Sequence, residues 1–441
     1  MFHFPMTKMV RKYTAKLDRT TRDEIFSFYK AFRWMPCFLQ KSYERHLRKN
    51  KKLNVIFSFY KEVEDGAKDI ESVLLKHKKC RMGEGFNVSN YCVAELTPYA
   101  LEEVLETCSC VKTVHFNRSF QALLDKAVPA SRAKNVMKSG KVLTGEGINV
   151  AVLDTGVYPH VDLDGRIIAF KDVINNRTKP YDDNGHGTHC AGDVAGNGQV
   201  SNGRYKGPAP KANIIGVKVL DREGNGSLES VMRGIEWCIL YNKHHQDAPI
   251  HVISLSLGSK AIRYKEEEED PVVYLVNEAW RNGIVVVAAA GNSGPASSTI
   301  DSPGVSSTII TVGASDHQNT ESTVEDDTVA PFSSRGPTVY GVEKPDILAP
   351  GVNIVSLRSP NSIIDRNEPE NRVGSGYFSL SGTSMATPIC AGVIALILQS
   401  NPSLTPNEVK ALLKEGADLL REDQNVYGYG FVNGEKAIAD A

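Results

Sequence analysis

From residue 148 onward the chain alternates short, dense apolar runs with longer stretches of helical periodicity. The runs INVAVLD (148–154), NIIGVKVL (213–220), IHVISLSL (250–257), IVVVAAA (284–290) and IITVGA (309–314) are rich in β-branched residues and apolar on both sides. A strand with no polar face is expected where helices cover both faces of a sheet, so these runs predict an α/β architecture with a mainly parallel sheet. Between them, LESVMRGIEWCIL sets Leu228, Val231, Met232, Ile235, Cys238 and Ile239 on one helical face.

The pattern before residue 148 differs. Residues 53–60 read as a strand, 66–78 as a helix, 87–96 as a strand, 98–108 as a helix and 111–116 as a strand, which is a small α+β unit of split βαβ type. Ahead of it, Ile25, Phe26, Phe28, Tyr29, Phe32 and Trp34 suggest an amphipathic helix running up to Pro36. Residues 118–145 lose periodicity and read as a linker. The organisation expected is a basic leader at 1–50, a small domain at 51–120 and a larger domain at 121–441.

Composition narrows the class. The chain has 441 residues, 41% hydrophobic and 23% charged, which excludes disorder as its main state. The apolar runs fall short of the roughly 20 residues of a spanning helix, so no membrane span is expected. The N-terminus carries charge without a continuous apolar stretch and small-residue cleavage site, so cytoplasmic retention is the expectation. Residues 1–60 carry a net charge of +10, leaving −11 for the rest, a contrast that the overall −1 conceals. The leader's basic residues read as a solvated face packed on the next domain rather than a nucleic-acid or membrane surface. Eight cysteines without CxxC spacing argue against a disulfide framework or zinc ribbon.

In parallel sheets reactive groups gather past the carboxyl ends of the strands. The first strand delivers Asp154, the loop YDDNGHGTHCAGDVA presents His186 between glycines, and FSLSGTSMATPICAGVIALIL opens an apolar helix with Ser384. Acyl transfer needs these three types: a hydroxyl nucleophile, an imidazole that takes and returns its proton, and a carboxylate that holds the imidazole tautomer. Singly, each has a plainer reading as a turn, a structural histidine or a helix cap. Asp182 and Asp183 also lie near His186 in sequence. The joint pattern, VAVLDTGVYPHVDL (150–163), NGHGTHCAGDVAG (184–196) and GTSMATPICAG (382–392), resembles the subtilisin family of serine proteases, and in particular the intracellular-type subtilases of bacilli.

The resemblance covers about two-thirds of the chain and implies a subtilisin-like three-layer fold and a serine endopeptidase. It assigns Asp154 as the orienting acid, His186 as general base then acid, Ser384 as nucleophile and Asn292, in AAAGNSG, as an oxyanion donor. His189 matches a structural position. Gly224, Asn225 and Gly226 on one edge, and Ser256, Leu257 and Gly258 on the other, match segments that pair with an extended peptide; Ser256, Leu257, Gly258, Ala289, Ala290 and Gly291 would line a first pocket suited to a large apolar side chain. Asp301 stands where many relatives have glycine at the base of that pocket; it either draws Lys or Arg into the pocket or turns out to solvent. The small domain is implied to be a propeptide that assists folding and occupies the cleft until self-cleavage, with the cut somewhere in 117–130.

No cofactor is expected for the chemistry. Relatives often carry structural calcium near the position of Asp162, but GNGQVSNGRYKG lacks the usual ligand pattern, so calcium is assigned to no residue here. The partners expected are protein or peptide substrates and the chain's own propeptide, with no nucleic acid. GTSMA lacks the last glycine of an α/β-hydrolase elbow, and no HExxH, Walker loop or strand-leading GxGxxG is present. Two rivals are a catalytically silent peptide-binding module and a maturation protease of narrow specificity.

Overall fold

A computed structural model describes residues 4–60, 63–86, 89–117, 119–122, 131, 133, 136–316, 327–419, 421–439 and 441. The chain forms two compact units, Met1–Arg118 and Ser119–Ala441.

In the smaller unit Leu53–Phe59, Arg81–Gly85, Tyr91–Leu96 and Val111–Phe116 form an antiparallel sheet, in which Leu53–Phe59 lies between Tyr91–Leu96 and Val111–Phe116. Helices Val63–Leu74 and Pro98–Thr107 accompany it, the second capped by the Thr97 hydroxyl. Residues 1–50 share this unit's core rather than forming a separate leader: Met6, Met9, Leu17, Ile25, Phe28 and Phe32 pack in one apolar cluster with Val55, Phe57, Ile70 and Val104. The aromatic stretch differs from the single helix expected. Arg19–Ser27 is α-helical and Phe28–Trp34 tightens to a 3-10 helix, with Cys37–Asn50 following Pro36. A buried Glu44 carboxylate accepts from the Met6 N–H at 2.9 Å and the Tyr29 hydroxyl at 3.0 Å, which satisfies a charge the core would otherwise reject.

The larger unit is built on an eight-stranded sheet. Its order is Thr328–Val329, Ile310–Asp316, Val285–Ala289, Val252–Leu255, Asn149–Asp154, Asn213–Lys218 and Ile167–Asp172, with Ile347–Pro350 also pairing Ile310–Asp316. Only the pairing of Thr328–Val329 is antiparallel among these described strands. Helices His186–Ala195 and Thr383–Ser400 pack together, as do Leu228–His244 and Pro271–Arg281, giving helical layers about the sheet. All six apolar residues read on the face of Leu228–His244 are buried. Thr383–Ser400 has the length and hydropathy of a bilayer span, but 89% of it is buried in the unit, so it serves as a core helix.

Parallel register concentrates chemistry at one edge. Val152, Ser254 and Val287 lie in one row, so Asp154, Ser256 and Ala289 leave the sheet side by side. The segment read as a linker also contributes structure: Ser119–Ala122 is a strand, and Met137–Lys138 pairs with Lys141–Val142 across Ser139 and Gly140, both of positive φ. Residues 317–326, which include part of the acidic segment ESTVEDD (321–327), lie outside the described residues, whereas Asp270, the last residue of the acidic run EEEED (266–270), caps Pro271–Arg281 through the Val272 N–H.

Candidate active site

The loop before His186 is wound around a buried carboxylate. Asp182 accepts from the N–H groups of Asn184, Gly185 and Thr188 and from the hydroxyls of Thr155 and Thr188, at 2.6–3.1 Å. It is therefore an organiser of the loop, and burial raises its pKa against those donors. Gly185, at φ 110°, makes the turn into His186–Ala195. Gly187 allows that helix to start against the strand end: a Cβ there would lie 2.2 Å from the Gly156 carbonyl oxygen. Two distant segments thereby meet, and His186 Nδ1 lies 2.7 Å from Asp154 Oδ1, with both side chains fully buried. With Nδ1 donating to the carboxylate, the neutral ring carries its lone pair on Nε2.

Ser384 is the second residue of Thr383–Ser400, following Gly382. Its hydroxyl donates to the Ser256 carbonyl at 3.2 Å, while the Ser256 hydroxyl donates to the Ser384 carbonyl at 2.7 Å. The Cys190 thiol joins the two halves of the cluster, 3.5 Å from the Ser384 carbonyl and 3.8 Å from His186 Nδ1. Burial pushes this thiol well above its usual pKa, so it stays protonated. Asp154, His186 and Cys190 are the one described trio with ligand atoms spaced for a metal ion.

Asn292 follows Gly291 past the strand Val285–Ala289. Its Oδ1 accepts from both the Thr383 N–H and hydroxyl at 3.0 Å, which fixes the amide orientation. Nδ2 is left buried with no hydrogen-bond partner, beside the first turn of the helix that bears Ser384. A buried donor without an acceptor is costly unless a ligand supplies one.

The two predicted edges do face an extended segment. Asn225–Ser227 and Leu257–Gly258 flank Ser119–Ala122 in an antiparallel three-stranded sheet. Gly224, at φ 80°, closes the turn that presents the first edge. Asp301 is inward: it is 9% exposed, and a Cβ on Gly291 would lie 2.5 Å from its Oδ2, one on Gly258 3.1 Å from its Cβ. Burial raises its carboxyl to about 6, against a smaller opposing pull from Lys260. The carboxyl thus adjoins Gly258 and Gly291, two of the residues predicted to line the first pocket, and no described group forms a hydrogen bond or ion pair with it.

His189 is held by Asp193 at Nδ1 and by the Ile354 and Phe378 carbonyls at Nε2, a structural role. Asp162 does not suit a cation. Its two oxygens accept from the Val200 N–H at 2.9 Å and the Tyr377 hydroxyl at 2.6 Å, so protein donors tie the 197–205 loop where calcium would need oxygen ligands alone. Sequence reasoning missed Lys218, which is fully buried and donates to the Thr155 carbonyl at 2.6 Å and the Asp183 carboxylate at 2.8 Å, bracing the turn after Asp154. The available signal was a lysine closing a strand that is apolar on both faces, a place where charge requires a partner.

The Subtilase family model matches residues 145–431. Over 99% of both chains, the sequence is 57% identical to serine protease AprX of Bacillus subtilis (strain 168). It is 37% identical to Subtilisin BL of Lederbergia lenta, across 70% of this chain and 96% of that one. Fervidolysin from Fervidobacterium pennivorans has the same fold, with a TM-score of 0.68 at 22% identity, covering 88% of this chain and 61% of that one. The chain belongs to the subtilase family of serine proteases.

Proposed function

We propose that this serine endopeptidase cleaves peptide bonds through an acyl-enzyme formed on Ser384, with His186 as proton carrier and Asp154 as its orienting acid. The observation that carries the reading is the buried 2.7 Å contact between His186 and Asp154, in one cluster with Ser384. Attack requires the Ser384 hydroxyl to turn from the Ser256 carbonyl to His186 Nε2. The proton then passes through the ring to the leaving amine, and Asp154 stabilises the imidazolium formed in between. The Asn292 amide and the N–H of Ser384, at a helix N-terminus, receive the oxyanion. A fluorophosphonate probe is expected to label the wild type and not Ser384→Ala. Asn292→Ala should keep its label but lose about 100- to 1,000-fold in kcat. A labelled Ser384→Ala chain overturns the nucleophile assignment, and an unlabelled wild type favours the silent binding module.

Cleft specificity follows from the same geometry. Main-chain pairing along Asn225–Ser227 and Leu257–Gly258 is tolerant of sequence, which supports a broad endopeptidase over a narrow maturation enzyme. Small residues at 289–291 admit a large apolar P1 side chain, and the Asp301 carboxylate extends the range to Lys and Arg once ionised. With matched peptides, the ratio of kcat/KM for Lys over Phe at P1 should rise with pH through about 6. The ratio cancels any pH dependence of the acylation step itself, which both substrates share. A flat ratio, or one unchanged in Asp301→Asn, removes Asp301 from specificity. The same cleft supports a proenzyme reading, in which the smaller unit is released by self-processing.

A further inference from the structure

Asp162, near whose position relatives often carry calcium, is fully buried, and every oxygen it offers is met by a hydrogen. Oδ1 accepts from the Val200 N–H at 2.9 Å and Oδ2 from the Tyr377 hydroxyl at 2.6 Å. The carbonyl oxygen accepts from the Arg166 guanidinium and from the Asn197 N–H at 3.2 Å. A calcium ion needs oxygen lone pairs turned towards it; here it would have to displace these donors and stand beside a guanidinium.

The donor on Oδ2 comes from far along the chain. Tyr377 is buried and 215 residues from Asp162. Burial, and then the Asp162 carboxylate itself, raise its hydroxyl above the usual range, so it remains a donor at neutral and mildly alkaline pH. It opens the strand Tyr377–Leu380, which pairs with Ile354–Leu357 and Arg372–Val373 and so closes the loop at 358–376. The residue before it is packed against the 197–205 loop: a Cβ on Gly376 would lie 2.9 Å from Val200 Cγ1. The Gly376 carbonyl accepts from the Arg358 N–H at 3.0 Å and from His160 Nε2 at 2.9 Å. His160 Nδ1 in turn accepts from the Asp162 N–H at 3.0 Å, which leaves the ring proton on Nε2. The Tyr205 ring meets the Tyr377 ring at 4.9 Å between centroids, so the far side of the 197–205 loop is held as well.

We propose that Tyr377 and the loop that delivers it do the work of a structural cation: by holding Asp162 they clamp residues 197–205, the segment that follows the His186 helix, and the larger unit needs no calcium at that place. A hydrogen bond to a carboxylate is among the stronger ones available to a protein, and here it ties together three segments that are remote in sequence. The role is one of stability and does not depend on which residue is the nucleophile.

The test is thermal unfolding of the full Ser384→Ala chain in calcium and in EDTA, where the two midpoints should coincide. Tyr377→Phe in that background keeps the ring and removes the donor; it should lower the midpoint by about 3–6 °C in both solutions. Trypsin should cut the folded variant after Arg204 or Lys206 faster than it cuts the parent, and calcium should protect neither chain. A calcium-induced rise in the parent that Asp162→Asn abolishes overturns the proposal, because the carboxylate then binds the cation. A rise that survives Asp162→Asn puts the cation elsewhere and leaves the clamp standing. Calcium that restores Tyr377→Phe overturns it, and so does a Tyr377→Phe chain that matches its parent in midpoint or in cutting.

Discussion

Asp301 illustrates how one carboxyl can link specificity to stability. In the unfolded chain it ionises near 4, whereas in the fold burial holds it to about 6. Between those values the folded state retains a proton that the unfolded state has lost. Its contribution to stability is therefore full below about 4 and is lost as pH rises through about 6. Asp301→Asn removes that loss. At pH 8 the variant should be more stable than wild type by up to about 3 kcal/mol, the equivalent of the roughly two-unit shift, and the gap should close towards pH 4. Urea unfolding of the Ser384→Ala background at the two pH values measures it without self-digestion. A variant less stable than its parent at pH 8 would mean that ionised Asp301 is compensated within the fold. The residue's place was half legible: the sequence put it at the pocket base but left its direction open. The direction follows from contacts with Gly258 and Gly291, which are 43 and 10 residues away in the chain.

At the scale of elements, legibility tracks how local the causes are. The apolar runs at 149–154, 213–218, 252–255 and 285–289 form strands because their burial is written in composition, and Ser384 opens its helix where the run begins. Ile167–Asp172 was not read as a strand: it is half exposed at the sheet edge and contains Lys171 and Asp172. The loop at 358–376 has its causes in tertiary contacts instead. It is knotted on Asp365, whose 1%-exposed carboxylate accepts from Arg358 at 2.5 Å, Arg372 at 2.7 Å and the Asn361 N–H at 2.9 Å. The loop is latched to the turn before His186, through Ile363 N–H to Asp183, Ile364 N–H to Asn184 and the Ser359 hydroxyl to Asp182. Burial pushes the Asp365 carboxyl up, but these donors together outweigh it and hold the group down at about 2, so its contribution is present above about 4 and is lost as pH falls towards 2. Asp365→Ala should cost about 1–3 kcal/mol at pH 7, with a difference that shrinks below pH 4. Because the latch bears on the His186 turn, kcat should fall more than KM changes. Equal stability of variant and wild type at pH 7 would show that the latch stands without its knot.

At the scale of the molecule, the larger unit is closed by contacts between remote parts of the chain. The central strand Asn149–Asp154 meets partners that begin 64 and 102 residues later, Gln399 accepts from the Thr144 and Gly145 N–H groups, and Lys138 donates to the Ile438 carbonyl. None of these contacts can stabilise the chain until a long loop has closed, so the unit is expected to fold slowly. The smaller unit has the opposite character: its sheet pairs segments within about 60 residues, and residues 1–50 fill the same core, so it can assemble early and alone. A slow domain made after a fast one is the arrangement in which the first can assist the second, and this is the folding side of the proenzyme reading. Residues 119–441 carrying Ser384→Ala, unfolded and diluted from denaturant, should therefore regain native fluorescence more slowly than the full-length Ser384→Ala chain. Separately made residues 1–118 should restore part of the difference in a concentration-dependent way. Equal refolding rates for the two chains would leave the smaller unit without a folding role, whatever the processing bond proves to be.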